Sequence, residues 1–327
     1  MATRANGDFG FTDYTPLLAL RPRSQNLLQE LGIFSEMDEQ MLTGENAEFE
    51  RENKGLTKMH NVARGADRQF AGDDQALLKV FKVPFATLDK VTKAHEVAAF
   101  REYGTEDAPA SVENLVERRI EHIQRSHARY IRDVMYHAIT DNEVYAFDKD
   151  GNKLNSLAKN YSTVWGVARN TGTIDLTDAA TDPFLALRAA RQNVIDKAGD
   201  DADGYELIYL VGSNQFGQIV SHPQVEAPYE NFASRQDPLR KRLGLTDQFS
   251  NIEVFEHKGV TVVSDVSGKI LDASGAGAAR GYVIPVGIDE LTAGAYGISD
   301  TIEGNDGRVA EKGYIYLEET RLIVPHN

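Results

Sequence analysis

The spacing of apolar residues changes along this chain, and each change predicts a different kind of element. Between residues 111 and 139, Leu115, Ile120, Ile123, Ile131, Val134, Met135, Ala138 and Ile139 follow a broken three–four spacing without proline or glycine, the pattern of one amphipathic helix. Pro109 lies just before this stretch and Ser111 can cap it. Helical throughout, it would run about 43 Å at ~1.5 Å per residue, well beyond the average helix. "LLKVFKVPF" (77–85) alternates instead, which predicts a strand that Pro84 closes or marks as an edge. From about residue 173 the pattern becomes mixed. "DPFLALRAARQNVIDKAG" predicts a helix with Asp182 as cap, Pro183 in its first position and Gly199 at its end; its apolar face is Phe184, Leu187, Val194, Ile195 and Ala198. "YELIYLVGSNQFGQIVSHP" predicts a strand and a short helix, "IEVFEHKGVTVVSD" a hairpin through His257-Lys258-Gly259, and "KGYIYLEETRLIVPHN" a long strand. A flexible loop, "DASGAGAARG", precedes "YVIPVG".

The first 83 residues are patterned less by hydrophobicity than by charge. Residues 1–35 predict an extended arm, broken by Pro16 and Pro22, that ends in a short helix with Ser24 as cap, an apolar face of Leu27, Leu28 and Leu31, and Gly32 as stop. From 36 to 50 there are six acids (Glu36, Asp38, Glu39, Glu45, Glu48, Glu50) and no lysine or arginine; from 51 to 70 there are five bases (Arg51, Lys54, Lys58, Arg64, Arg68) against Glu52 and Asp67. This order predicts a long hairpin with one acidic and one basic limb. Few large apolar residues occur between 44 and 72, so it should project from the body. Two readings fit: a solvated loop with cross-strand charge pairs of roughly 0.2–1 kcal/mol each, or an arm that docks on a neighbouring subunit.

Composition narrows the chemistry. The chain has 327 residues, 41% hydrophobic and 26% charged, enough for one large domain or two modest ones. It has no cysteine, which removes disulfides, thiolate catalysis and cysteine zinc sites and fits a reducing compartment. No run of 18 apolar residues and no leader-like N-terminus occurs. The formal charge of −15 argues against tight, sequence-specific DNA binding, which needs a basic face. His122 and His127 are five residues apart, about 140° around a helix, and His137 is further along, so they do not make an i, i+4 metal pair; they are expected at the surface or an interface. In "VYAFDKDGN", Asp148, Asp150 and Asn152 suggest a calcium loop, but the glycine comes at the fourth place and Lys159 stands at the twelfth; a turn built on Asp150-Gly151 is expected. Asp200, Asp201 and Asp203 form a cluster before a strand, which makes turns more often than metal sites.

The order of these elements resembles the HK97-fold major capsid proteins of tailed bacteriophages, specifically the lambda-type major capsid protein E family. Four stretches carry the resemblance: "LRPRSQNLLQELGIF"; "FKVPFATLDKVTKAHEVAAFREYGTED", with Pro84 and its ending at Arg101, Tyr103 and Gly104; the helix followed by "VYAFDKDGN"; and "ARGYVIPVGIDELTAGAYG" through "KGYIYLEETRLIVPHN". The chain departs from the family at Thr140-Asp141, where a glycine is frequent, and at Ser126-His127-Ala128. The resemblance implies an α+β fold: an N-arm (1–35) bearing Arg21 and Arg23, an E-loop (36–83), a P-domain (84–172) with a spine helix of about 111–139, an A-domain (173–300), and a C-terminal strand (301–327) returning to the P-domain. It implies a structural, non-enzymatic subunit without cofactor or metal. Such a subunit assembles into hexamers and pentamers around double-stranded DNA, with scaffold, portal and possibly decoration proteins as partners. It forms in the host cytoplasm and ends in the virion. Glu45, Glu48, Glu50, Arg51, Lys54, Lys58, Arg64 and Arg68 would be the E-loop's intersubunit residues. An encapsulin-type compartment shares the fold, and a metal-dependent α/β enzyme using Asp200–Asp203 is an alternative of another class.

Overall fold

At the centre lies a four-stranded mixed sheet in the order β6-β7-β5-β8, formed by β5 (Glu206–Val211), β6 (Ile252–His257), β7 (Val260–Asp265) and β8 (Tyr282–Val286). The computed structural model describes residues 9–13, 27–34, 39–53, 75–91, 112–198, 206–226, 252–265, 280–286, 292–298 and 316–320. β5 runs parallel to β7 and antiparallel to β8. Buried on both faces, it reads as a near-continuous apolar run, "ELIYLV". Successive strand residues point to opposite faces, and the core divides accordingly. Ile208, Leu210, Ile252, Val254, Val263 and Ile284 pack on one side. Tyr209, Val211, Phe255, Val260 and Val262 pack on the other.

Each face is covered by helices. The second group packs with Phe184 and Leu187 of one helix (Pro183–Ala198) and Ile219 of a shorter one (Ser213–Val220). The Asp182 carboxylate accepts from the Phe184 N–H at 3.0 Å, so the predicted cap forms and satisfies one of the free donors of the first turn. The first group packs with Met135 and Tyr136 near the end of the long helix, and with Leu27, Leu28, Leu31 and Ile33 around a short helix (Leu27–Glu30). The long helix spans Val112–Thr140 without a break. Only its C-terminal half reaches the central core, and that contact joins residues of the expected P- and A-domains in one hydrophobic cluster.

Tight turns appear where the sequence placed them. After the short helix, Ile33 N–H bonds to Leu28 O (3.0 Å) and Gly32 N–H to Gln29 O (2.9 Å), with Gly32 at φ 69°. This is the Schellman pattern, and its apolar partners Leu28 and Ile33 are both buried. β6 and β7 are joined by Lys258 (φ 50°) and Gly259 (φ 76°), the two left-handed residues of a type I′ hairpin, whose twist matches that of the strands. Pro285 lies on β8, an edge strand, where its missing N–H leaves little of the ladder unmade.

Two further pairings tie distant parts of the chain together. β1 (Phe9–Asp13) pairs antiparallel with β10 (Tyr316–Thr320). The C-terminal strand therefore has the N-terminal arm as its partner among the described residues, where a return to the P-domain was expected. β2 (Glu39–Met41) pairs parallel with β9 (Gly294–Tyr296), and the Thr292 hydroxyl donates to Ile33 O at 2.6 Å. No helix among the described residues is long and apolar enough to cross a membrane.

Candidate assembly surface

β3 (Asn46–Asn53) and β4 (Gln75–Lys82) form an antiparallel hairpin that is a sheet of its own. The register sets Ala47 opposite Phe81, Glu48 opposite Val80 and Glu50 opposite Leu78. The partner of the acidic limb is thus residues 75–82 and not the basic stretch 51–70, which corrects the expected acid-against-base hairpin. The charge pair formed at the hairpin's base is Glu45 with Lys82 of β4.

One face of the hairpin anchors it. Ala47 is 1% and Phe81 6% exposed, so the stretch 44–72 contributes a small core residue and β4 a large one. The Phe81 ring packs on Phe49 (5.9 Å between centroids), Tyr161 (5.8 Å) and Trp165 (6.4 Å). Tyr161 and Trp165 stand on a one-turn helix (Tyr161–Trp165) capped by Asn160, whose side chain accepts from Thr163 N–H, and ended by Gly166 at φ 65°. Burial pushes the Tyr161 hydroxyl up to about 12, as expected when the charged form would lose its hydration.

The other face is left open. Leu78 and Val80 are 55% and 46% exposed on the same side as Glu48 and Glu50. The chain beyond Pro84 continues the pattern, with Phe85, Leu88 and Val91 also exposed. Six of the nine large hydrophobic residues exposed among the described residues fall between 77 and 91 (Leu77, Leu78, Val80, Phe85, Leu88, Val91). Single exposed apolar side chains are normal, but a concentration of them is the signature of a surface meant to be covered.

The residues singled out from the sequence sort clearly. Glu45 pairs with Lys82 at 2.7 Å at the hairpin's base; the hydrogen bond and charge of Lys82 hold the Glu45 carboxyl below its usual range. Glu48 and Glu50 are exposed on β3, and Arg51 lies on the same strand. Pro84 is half-buried just past β4. Arg21, Arg23, Lys54, Lys58, Arg64, Arg68, Arg101, Gly104 and the Asp200, Asp201, Asp203 cluster lie outside the described residues.

The helix histidines do not behave as a set. His122 is exposed and His127 half-buried. His137, expected at the surface or an interface, is 7% exposed. Its Nδ1 is 2.6 Å from the Asp141 carboxylate, and its ring meets Tyr145 and Phe147 edge-on. It sits on the second apolar side of the helix, which faces the 143–154 turn. There Asp148 organises the chain: its carboxylate accepts from the N–H groups of Asp150 and Asn152 at 2.9 and 2.8 Å. These bonds, that from Asn152 first, hold its carboxyl low. Asp148 is committed to its own backbone, as an Asx turn requires. Among the described residues no three histidine or acidic side chains gather as a metal site.

Comparison with known proteins points to one family. The family model described as phage major capsid protein E matches residues 13–321. The major capsid protein of Pseudomonas phage KPP10 is 23% identical over 260 residues, covering 77% of this chain and 72% of that protein. A match from the first described strand to the last ties the whole chain, and not one portable motif, to a single role. The chain belongs to the phage major capsid protein E family and is a structural subunit of a bacteriophage head.

Proposed function

We propose that this subunit builds its shell in the HK97 manner, with residues 1–35 as N-arm, 36–83 as E-loop, 84–172 as P-domain, 173–300 as A-domain and 301–327 as the C-terminal strand. Hexamers and pentamers close into an icosahedral head around double-stranded DNA, assembled in the host cytoplasm with scaffold and portal proteins. The protein acts by packing, not catalysis. The observation that carries this reading is the exposed face of the hairpin: anchored at Ala47 and Phe81, it is open at Leu78 and Val80, and Phe85, Leu88 and Val91 beyond it are exposed, with Glu48 and Glu50 beside Leu78 and Val80. A second copy of the chain covers this surface. Apolar contact supplies affinity, while the carboxylates set register against basic groups of the neighbour. Because each subunit repeats the contact around a closed symmetric lattice, individually weak interfaces suffice. The net charge of −15 suits a wall that contains DNA without gripping its phosphates.

The test is to replace residues 54–74, which carry Lys54, Lys58, Arg64 and Arg68, by an Asn-Gly turn. This keeps β3, β4 and the Phe81 anchor. The shortened protein should retain its thermal transition yet form no closed shells by electron microscopy. Normal shells would remove the E-loop from the account.

A further inference from the structure

The end of the long helix holds a buried titratable group that shell assembly does not explain. His137 lies in the last turn, 7% exposed. Its Nδ1 is 2.6 Å from Asp141 Oδ2, an i, i+4 pair across the helix end. The rings of Tyr145 and Phe147 stand 5.3 and 5.2 Å from it, each nearly perpendicular, and Tyr130 closes the cluster against Tyr145 at 5.5 Å. Its Nε2 is buried and has no hydrogen-bond partner among the described residues. The arrangement fits one protonation state. A neutral imidazole donates its Nδ1 proton to Asp141 and turns a bare Nε2 lone pair toward apolar surroundings. A second proton would place a cationic N–H there with no acceptor, which is costly in a buried site.

We propose that His137 is an acid-sensitive pin: protonation of its imidazole releases the 143–158 segment from the C-terminal end of the long helix. The segment depends on this contact. Around the pin, Ala146 is 3% exposed, the Glu143–Lys153 pair at 2.6 Å bridges the turn, and Glu143 and Asn160 bridge across it. The charged and titratable groups that face the imidazole are Asp141 from its own helix end, and Glu143, Lys153 and Tyr145 from the turn. Burial lowers the His137 pKa below its ordinary 6.5, with Lys153 adding to the effect and Asp141 and Glu143 opposing it.

The sign follows from linkage. The folded pKa is depressed, so the unfolded segment takes up the proton more readily. The contact is at full strength above about pH 6.5 and weakens as pH falls from there through the folded value. Each pH unit in that window changes the opening equilibrium by up to about tenfold.

Hydrogen exchange read by mass spectrometry tests this on the full chain in whatever assembly it adopts, at about pH 7.5 and about pH 5.5, with rates corrected for intrinsic chemistry. In the parent, amides of 143–158 should exchange more than about twofold and up to about tenfold faster at the lower pH. In His137→Gln the ratio should stay within about twofold, and likewise in His137→Phe, which keeps the aromatic packing if the amide variant folds poorly. The chain's seven other histidines remain in both variants, so a difference between parent and variant reports on His137. No pH effect in the parent overturns the proposal, as does an effect that persists in either variant.

Discussion

Truncating Phe81 to alanine should detach the hairpin without unfolding the body. Phe81 is 6% exposed and its ring contacts Phe49, Tyr161 and Trp165. Removing a buried phenylalanine side chain costs about 3–5 kcal/mol, with the edge-on aromatic contacts included in that figure. The hairpin has little else to hold it. It is a two-stranded sheet of its own, and such a hairpin is marginal in water; the Glu45–Lys82 pair beside it is exposed and screened by solvent, so it adds little. The loss therefore falls on local opening, which should rise by roughly two to three and a half orders of magnitude at about 1.4 kcal/mol per tenfold. The assay is hydrogen exchange of the amides in 46–53 and 75–82, alongside the main thermal transition. Exchange should become fast in both strands while the central sheet stays protected. Unchanged protection of β3 and β4 would refute the claim that Phe81 anchors the hairpin. Equal loss in β5 and β7 would refute the claim that the hairpin folds as a separate unit.

Three further outcomes follow from the same structure. Arg125 is exposed and pairs with Glu121, one turn back, so Arg125→Pro should abolish closed shells by breaking a continuous helix at about 3 kcal/mol or more, while Arg125→Ala should leave shell yield and diameter unchanged by electron microscopy. Asp182→Ala should lower stability by about 0.5–2 kcal/mol in chemical denaturation by removing the cap on Phe184 N–H and the pair with Lys258, whereas Asp182→Asn, which keeps an acceptor at the cap, should cost less than about 1 kcal/mol. Gly281→Ala should destabilise by about 1–3 kcal/mol in the same assay, because its new methyl would run into the ring of Tyr209, itself 5% exposed and unable to swing away.

Elements defined by local chemistry are legible in the order of residues alone. Apolar spacing predicts the long helix over 111–139 and it is found over Val112–Thr140, because periodicity and the absence of breakers act within a few residues of each other. The Gly32 stop, the Asp182 cap and the Lys258-Gly259 turn follow from the same short-range rules. What the sequence conceals is pairing between distant segments. Nothing local says that Phe9–Asp13 lies beside Tyr316–Thr320. The charge order of 36–70 points to a partner for the acidic limb other than the one it has, residues 75–82. The buried histidine is concealed for a related reason. The apolar stripe of the helix runs through Ile131, Met135 and Ala138, which leaves His137 among the polar residues. The signal that could have found it is a second stripe: Tyr130 seven residues before His137, Asp141 four after it, and the alternating Tyr145 and Phe147 beyond. In the candidate surface, the exposed leucines and valines of 77–91 look like ordinary strand residues, since a sequence pattern does not distinguish an apolar face that meets its own body from one left for a neighbour.

The most direct test is an electron cryomicroscopy map of the assembled protein at side-chain resolution. The account predicts closed icosahedral shells in which Leu78, Val80, Phe85 and Leu88 are covered by an adjacent copy, with Glu48 and Glu50 within ion-pair reach of that copy's basic side chains. Closed shells in which those residues face solvent would contradict the assignment of the hairpin as the assembly surface, and small discrete oligomers that never close would contradict the shell-building account itself.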